Sequence, residues 1–589
     1  KCDISIWAKY DIIILVLHFS FNQFFSPLTT SKAIHVIVIV GLLVFCNMLF
    51  NSFVADDITL ILTNPTIHSL SNFSTLLFQI QPHAGGQGLF TGSYYIPLTL
   101  ISFSSLYTFF GDTPFFFHFF QLSLHIANAI LLFSIFTSFF SKRVALFLSL
   151  LFLVHPINQE TVAYIANLQD VLFLFWGLLA LFYYQKFCKD HLSWKMISII
   201  SIFIFLSLLA KVTGVLFIPL ILLLVFLSHK KQFFYFLIGF GITIGVYFLL
   251  KSSAQQVLFA VEPSSITQAD LATRLLNIPA IIFYYIGTFF FPNTLITHQD
   301  WLITSITVTS FYIPLLLDLI FFACLGVLGI ISFRISKKTF STFLFFSLWL
   351  VLGLLLHAQI IPLDFTVADR WFYFPIVGLL GVLAVFIQML KVKPNIFIAV
   401  GLIIIVILSI RTIVRNENWS NGYSLYTHDI IFAKDNVYLN GLLGNEYMNM
   451  GKYDEALLYF NKVATIKPLQ ERNWINIGAS YYSKGDLKSA EKYFKKASEV
   501  GRVQTKYDRL GLLYITEGRL KEARTVYQTA IKEYPTYQRA QLYLAYCEYE
   551  LGNKEKALEV AMKAQQMNPT TEGQYVLTQI TNNQEIKLQ

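Results

Sequence analysis

Residues 395–413 read NIFIAVGLIIIVILSIRTI, and residues 474–490 read WINIGASYYSKGDLKSA. The first stretch carries no charge before Arg411 and is long enough to cross a ~30 Å hydrocarbon core. The second mixes small, aromatic and charged side chains at helical spacing, as a water-exposed helix pair does. Composition divides the chain at the same place. Residues 414–589 hold 23 Lys and Arg with 20 Asp and Glu, so about 24% of them are charged. The first 413 hold 20 basic and 14 acidic residues, about 8%, far below the roughly one quarter of soluble proteins. No water-soluble core absorbs that much apolar sequence. Residues 33–413 are therefore expected to form a polytopic membrane domain, with a soluble domain after it. A soluble enzyme, a secreted disulfide scaffold and a nucleic-acid binder are excluded. The net charge of +9 belongs to the connections between spans rather than to a polyanion site. Cys46 and Cys324 sit in apolar runs and Cys547 stands alone, so no disulfide framework is expected.

Apolar runs fit spans at 33–53, 114–140, 144–163, 168–185, 195–210, 212–228, 232–250, 311–333, 340–360, 371–390 and 395–413. Basic residues gather in alternate connections: Lys142 and Arg143; Lys186, Lys189 and Lys195; Lys230 and Lys231; Arg334, Lys337 and Lys338; Lys391 and Lys393. The positive-inside rule makes those loops cytoplasmic, and spans counted from a cytoplasmic Lys32 leave the soluble domain outside. Arg274–Ile296 breaks the parity. It is expected as a re-entrant pair or an interfacial helix containing Pro279 and Pro292, or as two short spans. Residues 1–32 stay open, because the chain begins at Lys1 and Asp11–Phe25 reads equally as a span, a surface helix or a mis-called start. An outer loop is expected over 54–113 and a linker over 414–437.

The soluble part repeats. Gly-x-x-x-x-Ala occurs at Gly451/Ala456, Gly485/Ala490, Gly518/Ala523 and Gly552/Ala557, spaced by 34, 33 and 34 residues. Trp474/Ile477/Gly478/Tyr481 and Tyr507/Leu510/Gly511/Tyr514 precede it, with Leu443/Gly444/Tyr447 as a weaker copy. Pro468, Pro535 and Pro569 close units. That period with those residues is the tetratricopeptide signature, giving four repeats over 438–569 and a tail at 570–589. Small Gly and Ala let paired helices approach while large residues fill the space between them.

Charges in so apolar a domain are costly unless paired or functional. Asp56 and Asp57 follow the first span on the outer side. Adjacent carboxylates raise each other's pKa, and one is placed to serve as a general base; equally, either is a favoured N-cap for a helix from Ile58 to Thr63. The next outer connection carries His155, Glu160 and Asp170. His155 precedes Pro156, as a helix end does, and has no second His at a metal-ligand spacing. Lys211 and Arg370, the latter after Asp369, sit on outer turns against the positive-inside trend. Each either snorkels to the interface or holds a lipid phosphate, whose oxygens an Arg fork matches. Asn72-Phe-Ser74 and Asn418-Trp-Ser420 match the N-glycosylation pattern.

In order, the chain presents the Asp-Asp pair, Ile58 and Asn64-Pro65, then a loop with Gly85, Gly86, Gly88 and Gly92 leading to Pro97-Leu-Thr99. Phe117-His118, His125 and Asn128, His155-Pro156 with Glu160, Ala210-Lys211 and Ala368-Asp369-Arg370-Trp371 follow, ahead of the repeats. This set resembles the transmembrane and tetratricopeptide-repeat-containing glycosyltransferases of the C-type membrane fold, relatives of the protein O-mannosyltransferases. It differs where relatives show Arg-Pro-Leu-Thr and this chain has Ile96-Pro97, and in having Asn167-Leu-Gln169-Asp170 and Val212 where relatives carry further charges. The resemblance implies an all-α membrane domain of about 11–13 helices followed by a tetratricopeptide solenoid. It implies transfer of a sugar, typically mannose, from a polyprenyl-phosphate donor to protein Ser or Thr on the outer or luminal face. Asp56, Asp57 and Glu160 would be catalytic, Arg370 and Lys211 would bind the donor phosphate, and His155, Asp170 and Asp369 would support the outer loops. No metal is assigned. The expected course is a single displacement with inversion, with the repeats presenting the acceptor protein or peptide. Two alternatives differ in class: an inactive membrane-anchored docking scaffold, and a transporter, for which Asp318 is the acidic residue placed near mid-span.

Overall fold

The computed structural model describes residues 28–82, 93–187, 193–256, 264–390, 392–500 and 505–587. Asp11–Phe25, the four loop glycines, Lys189 and Lys391 lie outside them. The described chain falls into two compact units, one ending at Phe432 and the other beginning at Ala433.

The first unit is helical. It contains α1 (Thr30–Phe45, extended by a 3-10 turn to Phe50), α2 (Pro97–Phe110), α3 (Pro114–Phe136), α4 (Lys142–Val154) and α5 (Gln159–Ala163). Then come α6 (Leu168–Phe187), α7 (Trp194–Ala210), α8 (Phe217–Ser228), α9 (Phe233–Ser253) and α10 (Leu271–Phe290). It finishes with α11 (Ile313–Ile335), α12 (Lys337–Leu356), α13 (Pro375–Met389), α14 (Pro394–Asn418) and α15 (Gly422–Phe432). Local chemistry sets several starts. The Thr29 hydroxyl accepts the Lys32 N–H to cap α1. Four helices begin on proline (Pro97, Pro114, Pro375, Pro394), where its missing N–H costs nothing.

Among the described residues, eight helices are long and apolar enough to cross a membrane, and α4 with the segment after Pro156 makes a ninth if that 48° bend lies within one span. The runs expected at 195–210, 212–228 and 371–390 form helices, but shorter ones. Of the alternatives for Arg274–Ile296, the re-entrant pair and the two short spans are corrected: α10 is one continuous helix of 20 residues with Pro279 inside it. Its buried side is an i, i+4 stripe of Asn277, Ile281 and Tyr285, which helical continuity requires. Leu316, Leu317, Ile320 and Ile330 of α11 are exposed, the surface expected of a helix solvated by lipid. Inside, Phe217, Trp349 and Phe374 pack with ring centroids 5.3–5.6 Å apart.

The outer loop has structure of its own. Short turns from Ile58 to Leu77 lead into β1 (Gln79–Pro82), which pairs antiparallel with β2 (Ser93–Tyr94) and parallel with β3 (Gln255–Gln256). Residues 414–432, expected within a linker, complete the first unit instead. Arg415 of α14 is buried and holds Asp429 of α15 by bonds of 2.7 and 3.3 Å.

The second unit is the solenoid: α16 (Val437–Asn449), α17 (Tyr453–Ile466), α18 (Glu471–Ser483), α19 (Leu487–Val500), α20 (Thr505–Thr516), α21 (Leu520–Glu533), α22 (Gln538–Glu550), α23 (Lys554–Met567) and α24 (Thr571–Asn582). Two kinds of glycine build it. Gly485 turns the chain between α18 and α19 at φ +83, where a side chain is strained. Gly478 lets the pair close, since a Cβ there would lie 2.5 Å from the Phe494 ring. The segment expected as a tail includes α24, whose Val576 and Ile580 cover Ala557, Ala561 and Ala564 and so cap the last repeat.

Candidate functional site

Asp56 and Asp57 are adjacent in sequence and opposite in environment. Asp57 is buried, and its two oxygens accept the N–H groups of Val54 at 3.0 Å and Ala166 at 2.7 Å. Burial pushes its carboxyl well above the usual range although those N–H groups oppose the shift. It ties the first outer loop to the turn after α5 and does not cap the short helical turn that begins at Ile58. Asp56 is exposed, presented by Ala55 at φ +47, a strained conformation for a residue with a Cβ. Its backbone N–H donates to the Tyr164 hydroxyl at 2.9 Å, and that hydroxyl is also hydrogen-bonded to the Asp56 side chain. Burial, then the charges of Asp56 and Asp57, hold the Tyr164 proton on well above its usual range.

Four of the other charged positions form two pairs. Glu160 accepts both the guanidinium and, at 3.1 Å, the backbone N–H of Arg370. Lys211 donates to Asp170 at 2.6 Å, with both side chains almost wholly buried. Neither cation snorkels to an interface. Arg370 spends one side-chain donor on Glu160, and its guanidinium stands 5.7 Å from the centre of the Phe365 ring. Its other donors suit a phosphate. The second Asp170 oxygen is buried without a hydrogen-bond partner. Asp369 accepts from Tyr284, and burial followed by the Glu160 charge raises its carboxyl far above the usual range.

A polar stripe on α3 positions these turns. The Gln121 amide donates to the carbonyls of Thr161 at 2.6 Å and Tyr164 at 2.8 Å, fixing the turn that carries Glu160. His125 bonds the Leu153 carbonyl at 3.0 Å and the Tyr373 hydroxyl at 2.8 Å, and Asn128 donates to the same hydroxyl at 3.2 Å. A carbonyl only accepts, so Nε2 of His125 carries the proton and Nδ1 receives the Tyr373 O–H. Tyr373 lies three residues after Arg370. His155, expected as outer-loop support, ends α4: Nδ1 accepts the Ile157 N–H at 3.2 Å and Nε2 donates to the Phe289 carbonyl at 2.9 Å. Both ring nitrogens are thus engaged, and among the described residues no group of three His, Cys, Asp or Glu is arranged to hold a metal ion.

The sequence reading missed Tyr164, four residues after Glu160, and His298. His298 is half-buried at φ +55, and the charges of Asp56, Arg370, Glu160 and Asp429 all act on it. Burial lowers its pKa although Asp56 opposes that shift. Tyr164 was legible as an aromatic within the Glu160 turn; His298 had no motif around it.

A helical, multi-pass membrane unit with a charged cluster on its loops, followed by a tetratricopeptide array, is the class that fold and site define. The tetratricopeptide repeat family matches residues 437–468, 471–500 and 514–580. Over 90% of its length the chain is 23% identical to a human protein named protein O-mannosyl-transferase TMTC3, and over 91% it is equally similar to the mouse protein of that name. A Drosophila melanogaster protein of that name is 24% identical over 44% of the chain and 29% of its own length. The resemblance read from the sequence therefore holds: the chain is a transmembrane and tetratricopeptide-repeat protein similar to these O-mannosyltransferases. It spans 64% of the length of the human and mouse relatives. Among solved structures, MamA is 20% identical with a TM-score of 0.23, covering 25% of this chain and 85% of that one. YrrB, titled a TPR protein with an unusual peptide-binding site, is 18% identical with a TM-score of 0.23, covering 27% and 82%.

Proposed function

We propose that the protein is an O-mannosyltransferase that takes mannose from a polyprenyl-phosphate donor and attaches it to Ser or Thr of a protein acceptor. The observation that carries this reading is the exposed Asp56 carboxylate in the same cluster as the Glu160–Arg370 pair. In the step, Asp56 takes the proton of the acceptor hydroxyl, whose oxygen attacks the anomeric carbon. The bond from that carbon to the phosphate oxygen breaks, and its electron pair leaves with the phosphate. Arg370 faces the developing charge, with Lys211 as a second cation. One displacement inverts the anomeric centre and requires no covalent enzyme intermediate. Asp57 is assigned to the loop framework.

A small apolar pocket of about 90 Å³ between α10, α11 and α12, lined by Ile278, Ile282, Phe322, Val351, Leu354 and Ala358, has room for a few carbons of a lipid-linked donor. Ala358 follows His357, which stacks on Trp371 with centroids 5.3 Å apart, beside Arg370. The basic loops support an outer or luminal active site, and the repeats are assigned to holding the acceptor. The test is transfer by purified protein from a panel of radiolabelled polyprenyl-phosphate sugars to acceptor peptides. Label on Ser or Thr from the mannose donor is expected. Label from a different sugar only would overturn the mannose assignment, and label from no donor in the presence of cell-derived acceptor proteins would overturn the reading in favour of a docking scaffold.

A further inference from the structure

Helix α10 has 20 residues, which at 1.5 Å each is about 30 Å, the thickness of a hydrocarbon core. Length and composition qualify it as a span. Its partners do not. Near its start the Arg274 guanidinium donates to the Ile360 carbonyl at 3.4 Å. The Asn277 side chain donates to the Ile303 carbonyl at 3.0 Å and accepts the Ile303 N–H at 2.8 Å. Further on, the Tyr284 hydroxyl donates to Asp369, and the Tyr285 hydroxyl accepts the Ala368 N–H at 3.3 Å. At its far end the Phe289 carbonyl accepts from His155 at 2.9 Å, and the Phe289 ring lies 6.4 Å from that of Phe372.

Ile360, Ala368, Asp369 and Phe372 all belong to the connection between α12 and α13, so both ends of α10 touch one connection. His155 is at the end of α4. Helices α4 and α12 begin on the opposite side, at Lys142 and Arg143 and at Lys337 and Lys338. Helix α12 is as long as α10. A crossing α10 would therefore bring its last turn level with Lys337, about 30 Å from the residues it touches. Leu271, Leu275, Phe283 and Phe290 are exposed along it, while Asn277, Tyr284 and Tyr285 give their polar groups to the protein.

We infer that α10 does not cross the bilayer but lies within one leaflet, on the side of the Glu160–Arg370 pair, with the acyl chains of that leaflet covering its exposed face. A helix resting on the membrane surface keeps a polar face toward water. Helix α10 instead bonds its polar groups to protein and turns apolar ones outward, which fits hydrocarbon. The chain between α9 and α11 then starts and ends on one side. Lys230 and Lys231, before α9, share the other side with Arg334, Lys337 and Lys338, after α11, as the positive-inside rule requires. Tyr284 and Tyr285 hold α10 against Ala368 and Asp369, the two residues before Arg370. The placement holds whether or not the protein transfers mannose.

The test uses the full chain with its five cysteines replaced by alanine and single cysteines restored. Gln268→Cys and Thr294→Cys flank α10, and Lys231→Cys and Lys338→Cys mark the basic connections. In sealed vesicles of one orientation, a membrane-impermeant maleimide should reach the first two from one side and the last two from the other. Labelling of Gln268→Cys and Thr294→Cys from opposite sides would overturn the inference. Nitroxides on Leu271→Cys, Leu275→Cys, Phe283→Cys and Phe290→Cys then report depth, by collision with oxygen against a water-soluble nickel complex. All four should stay within the ~15 Å of one leaflet's hydrocarbon. A depth that passes the bilayer midplane, or a descent to it and return, would also overturn the inference.

Discussion

Two carboxylates one residue apart do different work because their surroundings differ. Asp57 is saturated by two backbone N–H groups, whereas Asp56 is held outward by a strained Ala55. Asp57→Asn should therefore lower thermal stability, by about 1–3 kcal/mol for a disturbed buried hydrogen-bond pair, and leave measurable turnover. Equal losses of turnover from Asp56→Asn and Asp57→Asn at unchanged stability would argue against this division. Sequence shows the pair and cannot rank it, since the N–H that fills Asp57 belongs to Ala166, 109 residues away. Glu160, Lys211 and Arg370 were legible as candidates because charge in an apolar domain is rare. Their partners were not, because pairing is decided by helix packing. Lys211→Ala should destabilise the membrane unit by about 3–5 kcal/mol by leaving Asp170 buried and uncompensated, while the pair Lys211→Met with Asp170→Leu should recover much of that loss in a melting curve. A double variant no more stable than Lys211→Ala would show that the pair is not the unit that matters.

The helices and repeats were largely legible, because continuous apolar runs and a fixed period report on backbone physics directly. The glycine of each Gly-x-x-x-x-Ala motif marks a turn, and in the first three units the close approach belongs to the glycine seven residues earlier, whose place Ala545 takes in the fourth. Gly485→Ala should cost the solenoid about 1 kcal/mol through backbone strain. Gly478→Ala should cost about 1–3 kcal/mol by overpacking against Phe494. Equal, negligible shifts in the urea midpoints of the two variants would refute the distinction. Helix α15 was read as linker because its charges hide its role. Burial opposes ionisation of Asp429, but Arg415, His428 and Thr297 prevail and bring its pKa to about 2. A depressed carboxylate pKa gives stability that is present above the unfolded value near 3.8 and is lost as pH falls toward 2. Acid unfolding of the membrane unit should thus steepen between those pH values, and Asp429→Asn, already lacking that stabilisation, should flatten the curve in a pH-dependent melting series.

At the level of the whole chain, a membrane unit and a helical array share one polypeptide. If the array holds the acceptor, removing residues 438–589 should spare transfer to a short peptide and impair transfer to intact protein. Equal loss on both substrates would refute that division. The central claim is narrower, that Asp56 is the base in mannosyl transfer. Its most direct measurement is a single-turnover rate with polyprenyl-phosphate mannose, wild type beside Asp56→Asn, with donor affinity and melting temperature determined on the same samples. With Asp56 as the base, Asp56→Asn lowers that rate by about 10²–10⁴-fold at unchanged affinity and stability. An Asp56→Asn enzyme that turns over at the wild-type rate would contradict it.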